Sequence, residues 1–220
     1  MEPEAGKDLR LLQLSLIAKI IASFTHEVKN HLAFIKESAG LIGDVMESRK
    51  SLSKEDVQQS LEVLRSIRDQ IGKTSDLCNY LNRFAHRMDY PTCTFNVNES
   101  MEELVVLLHR IAHQKRITLS KDLLKDIPVT DSDPSRIQFI AFCFLEDMIM
   151  RLDKSARIVV QTGFSRDSIK IQIIAEGSFM AGIEEQSRCS FELLQGISKS
   201  LGIDLLQEDR KMTITIPRSS

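Results

Sequence analysis

The feature that most constrains the fold is a long proline-free stretch, residues 11–47, in which apolar side chains recur at helical spacing. With Leu14 as heptad position a, the a and d positions are mostly apolar, and several e positions are apolar as well. This stripe is wider than a two-stranded coiled coil needs. The sequence therefore predicts a long helix that packs within a helical bundle.

A second periodic stretch follows the polar segment "ESRKSLSKED" and predicts another long helix. Its apolar stripe runs from Val57 to Met88 and ends before Pro91. Ser53 followed three residues later by Asp56 is typical of a helix N-cap. Two long helices joined by a short link pack antiparallel as a hairpin. Because a lone hairpin leaves half of its apolar stripe in water, we expect a homodimer with a four-helix bundle.

The pattern changes after residue 91 to short strands that alternate with helices. The expected order is one strand, a helix over residues 101–113 capped by Asn98, two strands, a helix that begins at Asp133 and Pro134, a strand hairpin around "SRD", a helix ending at Gly202, and a closing hairpin. This order predicts an α/β sandwich in which helices cover one face of a mixed sheet. We expect an α+β chain with two domains, residues 1–90 and 91–220.

Composition excludes several classes of function. A net charge of -2 gives no basic field for nucleic acid. The four cysteines form no CxxC pair, so we expect ordinary buried thiols in a reducing compartment. No apolar run approaches the roughly 20 residues that span a bilayer, and the acidic start "MEPEAGKDLR" is unlike a signal peptide. We expect a cytoplasmic protein that binds neither membrane nor nucleic acid.

The stretch "SFTHEVKNHLAFIKESAG", residues 23–40, carries the candidate chemistry. His26 falls at heptad position f, away from the apolar seam, and Asn30 lies one turn later, so both side chains can face one incoming group. A neutral exposed imidazole is a nucleophile, and Glu27 can orient the ring or take its proton. His31 falls at position d and is expected to be a core histidine. "HEVKNH" is not a zinc-binding HExxH motif, because its second histidine comes five residues after the first.

The segment "THEVKNHL" resembles the phosphoacceptor box of bacterial two-component histidine kinases, where an acid follows the histidine and Asn or Thr lies three residues beyond the acid. The hairpin resembles the dimerisation and phosphotransfer domain of that family. Residues 92–217 resemble its catalytic ATP-binding domain in the order of their elements and end in a similar strand, "TITIP". The resemblance covers nearly the whole chain. It implies that His26 carries a phosphoryl group, supported by Glu27 and Asn30.

The motifs of the second domain depart from the family pattern. The helix "DPSRIQFIAFCFLEDMIM" keeps the family's D-P-x-R start but has Cys143 and Asp147 at the two asparagine positions, the second of which normally helps to hold the metal on the nucleotide phosphates. In "IIAEGSF", the acid Glu176 is one position away from the adenine-reading aspartate, and Phe179 replaces the second glycine. The family's glycine-rich lid is absent from "IEEQSRCS", which precedes Phe191. These departures imply a domain that does not bind ATP.

The chain thus resembles histidine phosphotransferases with a degenerate kinase-like architecture. That resemblance implies a carrier that passes a phosphoryl group between receiver-domain aspartates through His26, with Mg²⁺ supplied by the response-regulator receiver and no cofactor of its own. We expect the receiver to dock around Phe24, Lys29, Ala33, Phe34 and Glu37. Two alternatives remain: a divergent ATP-dependent sensor histidine kinase that holds ATP with Asp147 and Glu176, and a non-catalytic adaptor or phosphatase of a response regulator.

Overall fold

The computed structural model describes residues 2–48, 51, 53–180 and 189–217. Its helices are α1 (Glu2–Ser48), α2 (Lys54–His86), α3 (Val97–Gln114), α4 (Pro134–Arg151) and α5 (Phe191–Ser200). Its strands are β1 (Cys93–Phe95), β2 (Thr118–Asp122), β3 (Thr130–Ser132), β4 (Arg157–Ser165), β5 (Ser168–Glu176), β6 (Asp204–Glu208) and β7 (Lys211–Pro217). The order of these elements is the one that the sequence predicts.

Helices α1 and α2 form the expected hairpin, and a capping box begins α2. The Asp56 amide donates to Ser53 Oγ at 3.1 Å, and the Ser53 amide donates to Asp56 Oδ2 at 2.9 Å. Helix α1 begins at Glu2, earlier than the predicted start at Leu11. The residues before Leu11 lack apolar periodicity, but most of them are good helix formers. Their intrinsic helix propensity extends the helix beyond the periodic stretch.

The strands form two sheets rather than the single mixed sheet expected. The main sheet has the order β2-β4-β5-β7-β6, in which β2 and β4 are parallel and the other pairs are antiparallel. Strands β1 and β3 pair only with each other, Cys93 opposite Ser132. Both are short because a helix N-cap follows each at once, Asn96 after β1 and Asp133 after β3. Asp133 and Pro134 begin α4 as predicted.

The cap of α3 is Asn96, so the expectation for Asn98 is wrong. The Asn98 backbone amide donates to Asn96 Oδ1 at 2.8 Å, which satisfies one of the free amides at the helix start. The side chain of Asn98 is used elsewhere. Its Nδ2 donates to the Leu124 carbonyl at 2.8 Å, and its Oδ1 accepts from Thr162 Oγ1 at 2.7 Å.

The hairpin and the α/β part share one hydrophobic core. Leu16 and Ile20 of α1, and Leu77 and Phe84 of α2, are buried in the same cluster as the apolar faces of α3, α4 and the main sheet. Leu16 and Ile20 occupy heptad positions c and g, outside the predicted seam. Helix α1 therefore uses one face for α2 and another for α3 and α4. The result is the predicted fold class, a helical hairpin followed by an α/β sandwich.

A buried ion pair fastens the end of α2 to α3. Glu103 is fully buried, and Arg87 donates to its two carboxylate oxygens at 2.9 and 3.2 Å. Gln138 Nε2 also donates to Glu103, at 3.0 Å. Burial by itself lowers the pKa of Arg87, but hydrogen bonds and charge interactions with Glu103 and Glu99 outweigh it and raise the pKa. Arg87 therefore stays charged, and its charge is matched inside the protein.

Within the described residues, the stretch Arg10–Ser48 of α1 is apolar and long enough to cross a membrane, by length and composition alone. The sequence contains no uninterrupted apolar run of that length, which is why no membrane-spanning segment was expected. Here leucine, isoleucine and alanine keep the mean hydropathy high, although polar residues interrupt the apolar run. The absence of membrane contact stays a prediction.

We expect Glu103→Ala to lower the free energy of unfolding by about 3–5 kcal/mol, because it strands Arg87 without its buried partner. Urea denaturation at fixed protein concentration measures the change. The matched control is Glu102→Ala on the same helix, where the ion pair with Lys121 is partly exposed and should be worth less than about 1 kcal/mol. Equal losses in the two variants would contradict the assigned role of the buried pair.

Candidate functional site

His26 is exposed on α1 and lines a cavity of about 610 Å³ between α1, α3 and α4. Asn30, one turn later, is exposed as well. Glu27 is half-buried and lines a separate cavity of about 370 Å³, together with His109 and Lys121. The structure thus leaves His26 and Asn30 accessible, whereas Glu27 lies toward α3. The face of α1 that carries His26 looks across the cavity at the chain's own α/β part.

The residues expected to bind a partner differ in accessibility. Lys29, Ala33, Phe34 and Glu37 are exposed on α1, and Phe34 keeps 41% of its surface accessible. Phe24 is half-buried and packs against the hydrophobic core. Four of the five therefore stand on an accessible surface, and Phe24 contributes to packing.

His31 is half-buried and joins the two helices of the hairpin. Its Nδ1 lies 2.9 Å from Thr74 Oγ1, and the Thr74 hydroxyl donates to the Gln70 carbonyl at 2.8 Å. Since that hydroxyl hydrogen is already used, the Thr74 oxygen accepts from His31 Nδ1–H. A histidine with this contact is part of the hairpin packing.

The position of the second family asparagine is occupied by an internal ion pair. Asp147 is buried, and Arg151 Nη1 donates to its Oδ2 at 3.0 Å. The guanidinium of Arg151 also lies over the ring of Phe179, 4.6 Å from the centroid, and Arg210 approaches the same ring at 5.4 Å. The charge of Asp147 is compensated within the protein, and two guanidinium groups lie near the ring of Phe179.

Backbone packing requires glycine at position 177, in the segment "IIAEGSF". Its φ is +129°, and a Cβ atom there would lie 2.8 Å from the Cβ of Ala156, so no other residue fits without movement. The exposed Glu176 precedes it at the end of β5. Backbone hydrogen bonds hold the residues after Gly177. In one of them, the Asp153 amide donates to the Ser178 carbonyl at 2.9 Å. Of the glycine-free segment "IEEQSRCS", residues 183–188 lie outside the described residues.

Cys143 and Cys189 form a disulfide bond, with their Cα atoms 6.1 Å apart. The expectation of ordinary buried thiols is wrong for this pair. The bond joins α4 to the residue before Ser190, the N-cap of α5, and both cysteines line the cavity that holds His26. Cys78 and Cys93 are free. Cys78 is exposed, so the expectation of a buried thiol is wrong there too, and Cys93 is half-buried.

The cavity beside His26 contains polar residues that the sequence reasoning did not select. Ser23 is buried, and its Oγ has no hydrogen-bond partner among the described residues. Arg110 of α3 is half-buried there, and Lys19 forms an ion pair with Glu146 of α4. One signal was available for Ser23, because it lies one turn before His26 on the same helix. No local pattern marks Arg110, since only the fold brings it near α1.

Comparison with known proteins places the fold. No family model matches the chain, and no curated protein matches it. The catalytic domain of the histidine kinase ThkA aligns with 60% of this chain and 100% of its own length at 14% identity, with a TM-score of 0.52. Full-length ShkA in complex with AMPPNP aligns with 89% of this chain and 46% of its own length at 12% identity, with a TM-score of 0.50. These similarities show the fold: the α/β part is built like the ATP-binding domain of histidine kinases.

Proposed function

We propose that this protein is a histidine phosphotransferase in two-component signalling, which passes a phosphoryl group between receiver-domain aspartates through His26. The observation that carries the proposal is an exposed His26, with Asn30 one turn away, on a hairpin joined to a domain with the histidine-kinase ATP-binding fold. The sequence motif around His26 resembles the phosphoacceptor box of the same family. The hairpin, the motif around His26 and the fold of the α/β part all support a role in two-component signalling.

The transfer itself is a displacement at phosphorus. A ring nitrogen of His26 attacks the phosphorus of an aspartyl phosphate on the receiver, the bond from phosphorus to the carboxylate oxygen breaks, and the aspartate leaves with its electron pair. The second half reverses these steps toward another receiver. Positioning and charge compensation dominate such reactions, and the Mg²⁺ comes from the receiver. Asn30 can donate to a phosphoryl oxygen. Glu27 lines the separate cavity toward α3, so its side chain must turn toward His26 before it can orient the ring or take its proton.

Three features of the α/β part support a carrier that does not load itself from ATP. Cys143 is tied in a disulfide bond, Asp147 is engaged by Arg151, and Phe179 packs where the family has a glycine. Phosphate binding uses glycine-rich backbone, because side chains prevent close approach. A buried carboxylate already neutralised by an arginine is a poor ligand for Mg²⁺.

The first test follows acid-labile phosphate from a phosphorylated receiver onto the full chain. We expect label on the native protein and none on His26→Gln, because the amide has no nucleophilic nitrogen. The matched control is His86→Gln, which changes an exposed histidine near the end of α2 and should label normally. A His26→Gln variant that still takes up acid-labile label would refute the assignment of His26.

A second candidate function, a divergent ATP-dependent histidine kinase, is favoured by one observation. His26 and Asp147 line the same cavity, so the proposed phosphoacceptor and the position of a family nucleotide-site residue share one space. We expect isothermal titration of the full chain with Mg-ATP to give no binding tighter than about 1 mM. Micromolar binding, followed by label on His26 from ATP alone, would instead support the kinase.

We also propose that the protein is a homodimer, in which the hairpin of a second copy covers the apolar surface of the first. Large apolar side chains stay exposed along both helices, including Leu32, Leu41, Leu64 and Ile71. Pairing two hairpins as a four-helix bundle removes such side chains from water at about 25 cal/mol per Å² of apolar surface.

Sedimentation equilibrium tests the homodimer. We expect a dimer for the native chain and a monomer for the double variant Leu41→Glu/Leu64→Glu, because charges at these positions oppose burial. The matched control is Leu206→Glu, since Leu206 is equally exposed but lies on the edge strand β6. A native monomer, or dissociation caused equally by Leu206→Glu, would contradict dimerisation through the hairpin.

A further inference from the structure

His26 lines the cavity, and the geometry of the helix directs its ring toward the preceding turn. Side chains of an α-helix tilt toward its N-terminus, so a ring at this position lies over the preceding turn. Ala22 and Ser23 form that turn, and both line the same cavity as His26. A group attached to the ring can therefore reach the space between α1 and the helices α3 and α4.

Two polar groups in this cavity lack a partner among the described residues. Ser23 is only 8% exposed, and its Oγ makes no hydrogen bond there. A buried hydroxyl is almost always hydrogen-bonded in a folded protein, so an orphaned one indicates a missing partner. Arg110, half-buried on α3, forms no ion pair or hydrogen bond within the described residues.

The other charged groups in the cavity are already compensated. Lys19 pairs with Glu146, and Asp147 with Arg151. Arg110 is therefore the cation in this cavity whose charge is unmatched among the described residues. Leu108, Ile111 and Phe142 supply apolar walls. In such surroundings an interaction between a guanidinium and an anion is stronger than in water.

We infer that Ser23 and Arg110 form a phosphoryl-binding site that holds the phosphoryl group carried by His26. The inference rests on the proposed function, since it needs a phosphorylated His26. A phosphoryl group on the ring adds oxygen acceptors and negative charge, which match the hydroxyl of Ser23 and the guanidinium of Arg110. The α/β part thus binds the charged form of the hairpin that it covers.

The test loads His26 without any receiver. Phosphoramidate is a small phosphoryl donor: a ring nitrogen attacks its phosphorus, the phosphorus–nitrogen bond breaks, and ammonia leaves after taking up a proton. The pH titration of the phosphohistidine ³¹P resonance then reports the second ionisation of the attached phosphoryl group. A nearby cation favours the more negative form and lowers the midpoint of that titration.

We expect Arg110→Gln to raise the titration midpoint by about one pH unit, with partial recovery in Arg110→Lys. Ser23→Ala removes one donor, so its shift should have the same direction and be smaller. The matched control is Arg68→Gln, because Arg68 is exposed on α2, and it should titrate like the native protein. Circular dichroism checks that every variant is folded.

The outcomes separate this inference from the proposed function. Label from phosphoramidate with an unchanged titration in Arg110→Gln and Ser23→Ala overturns the phosphoryl-binding site and leaves the phosphotransferase standing. Label from phosphoramidate with the expected shifts, but none from phosphorylated receivers, keeps the site and removes the transfer function. A native His26 that takes up no label from either donor overturns both.

Discussion

The buried ion pair between Arg87 and Glu103 fixes the end of α2 against α3, at the boundary between the hairpin and the α/β part. Removing two charges from water is costly, and here the cost is offset by two hydrogen bonds within the pair and a third from Gln138. Such a pair tolerates little displacement, because each oxygen has a defined donor. Glu103 and Arg110 lie two turns apart on α3, so the face that receives Arg87 also carries the cation beside His26.

Much of the fold could be predicted because its signals are local. The capping box of Ser53 and Asp56, the Asp133-Pro134 start of α4 and the alternating strands each involve residues close in sequence. The burial of Leu16 and Ile20 could not be predicted in this way. Their heptad positions lie outside the hairpin seam, and only the α/β part explains why they are buried. A heptad describes one face of a helix, whereas α1 uses two.

In the candidate site, too, the features encoded by neighbouring residues could be predicted, and those that arise from tertiary packing could not. Sequence alone indicated His26, Glu27 and Asn30, and it indicated which nucleotide-binding residues are replaced. It could not indicate what the replacements do. Cys143 meets a cysteine 46 residues away, and Phe179 meets guanidinium groups from two other elements. These contacts arise from tertiary packing, which also brings Arg110 to the cavity beside His26.

The cavity also constrains how a receiver could approach. A partner that reaches His26 from the side of α3 and α4 must displace the α/β part, which the buried pair opposes. The other direction is open, because Asn30, Ala33 and Phe34 are exposed along the C-terminal half of α1. A receiver aspartate arriving over this surface would approach His26 from outside, whereas Ser23 and Arg110 line the cavity between α1, α3 and α4. Because the phosphoryl group is bonded to a single ring nitrogen, it cannot face the cavity and a receiver at once, so transfer to or from a receiver requires the ring of His26 to turn toward this open surface.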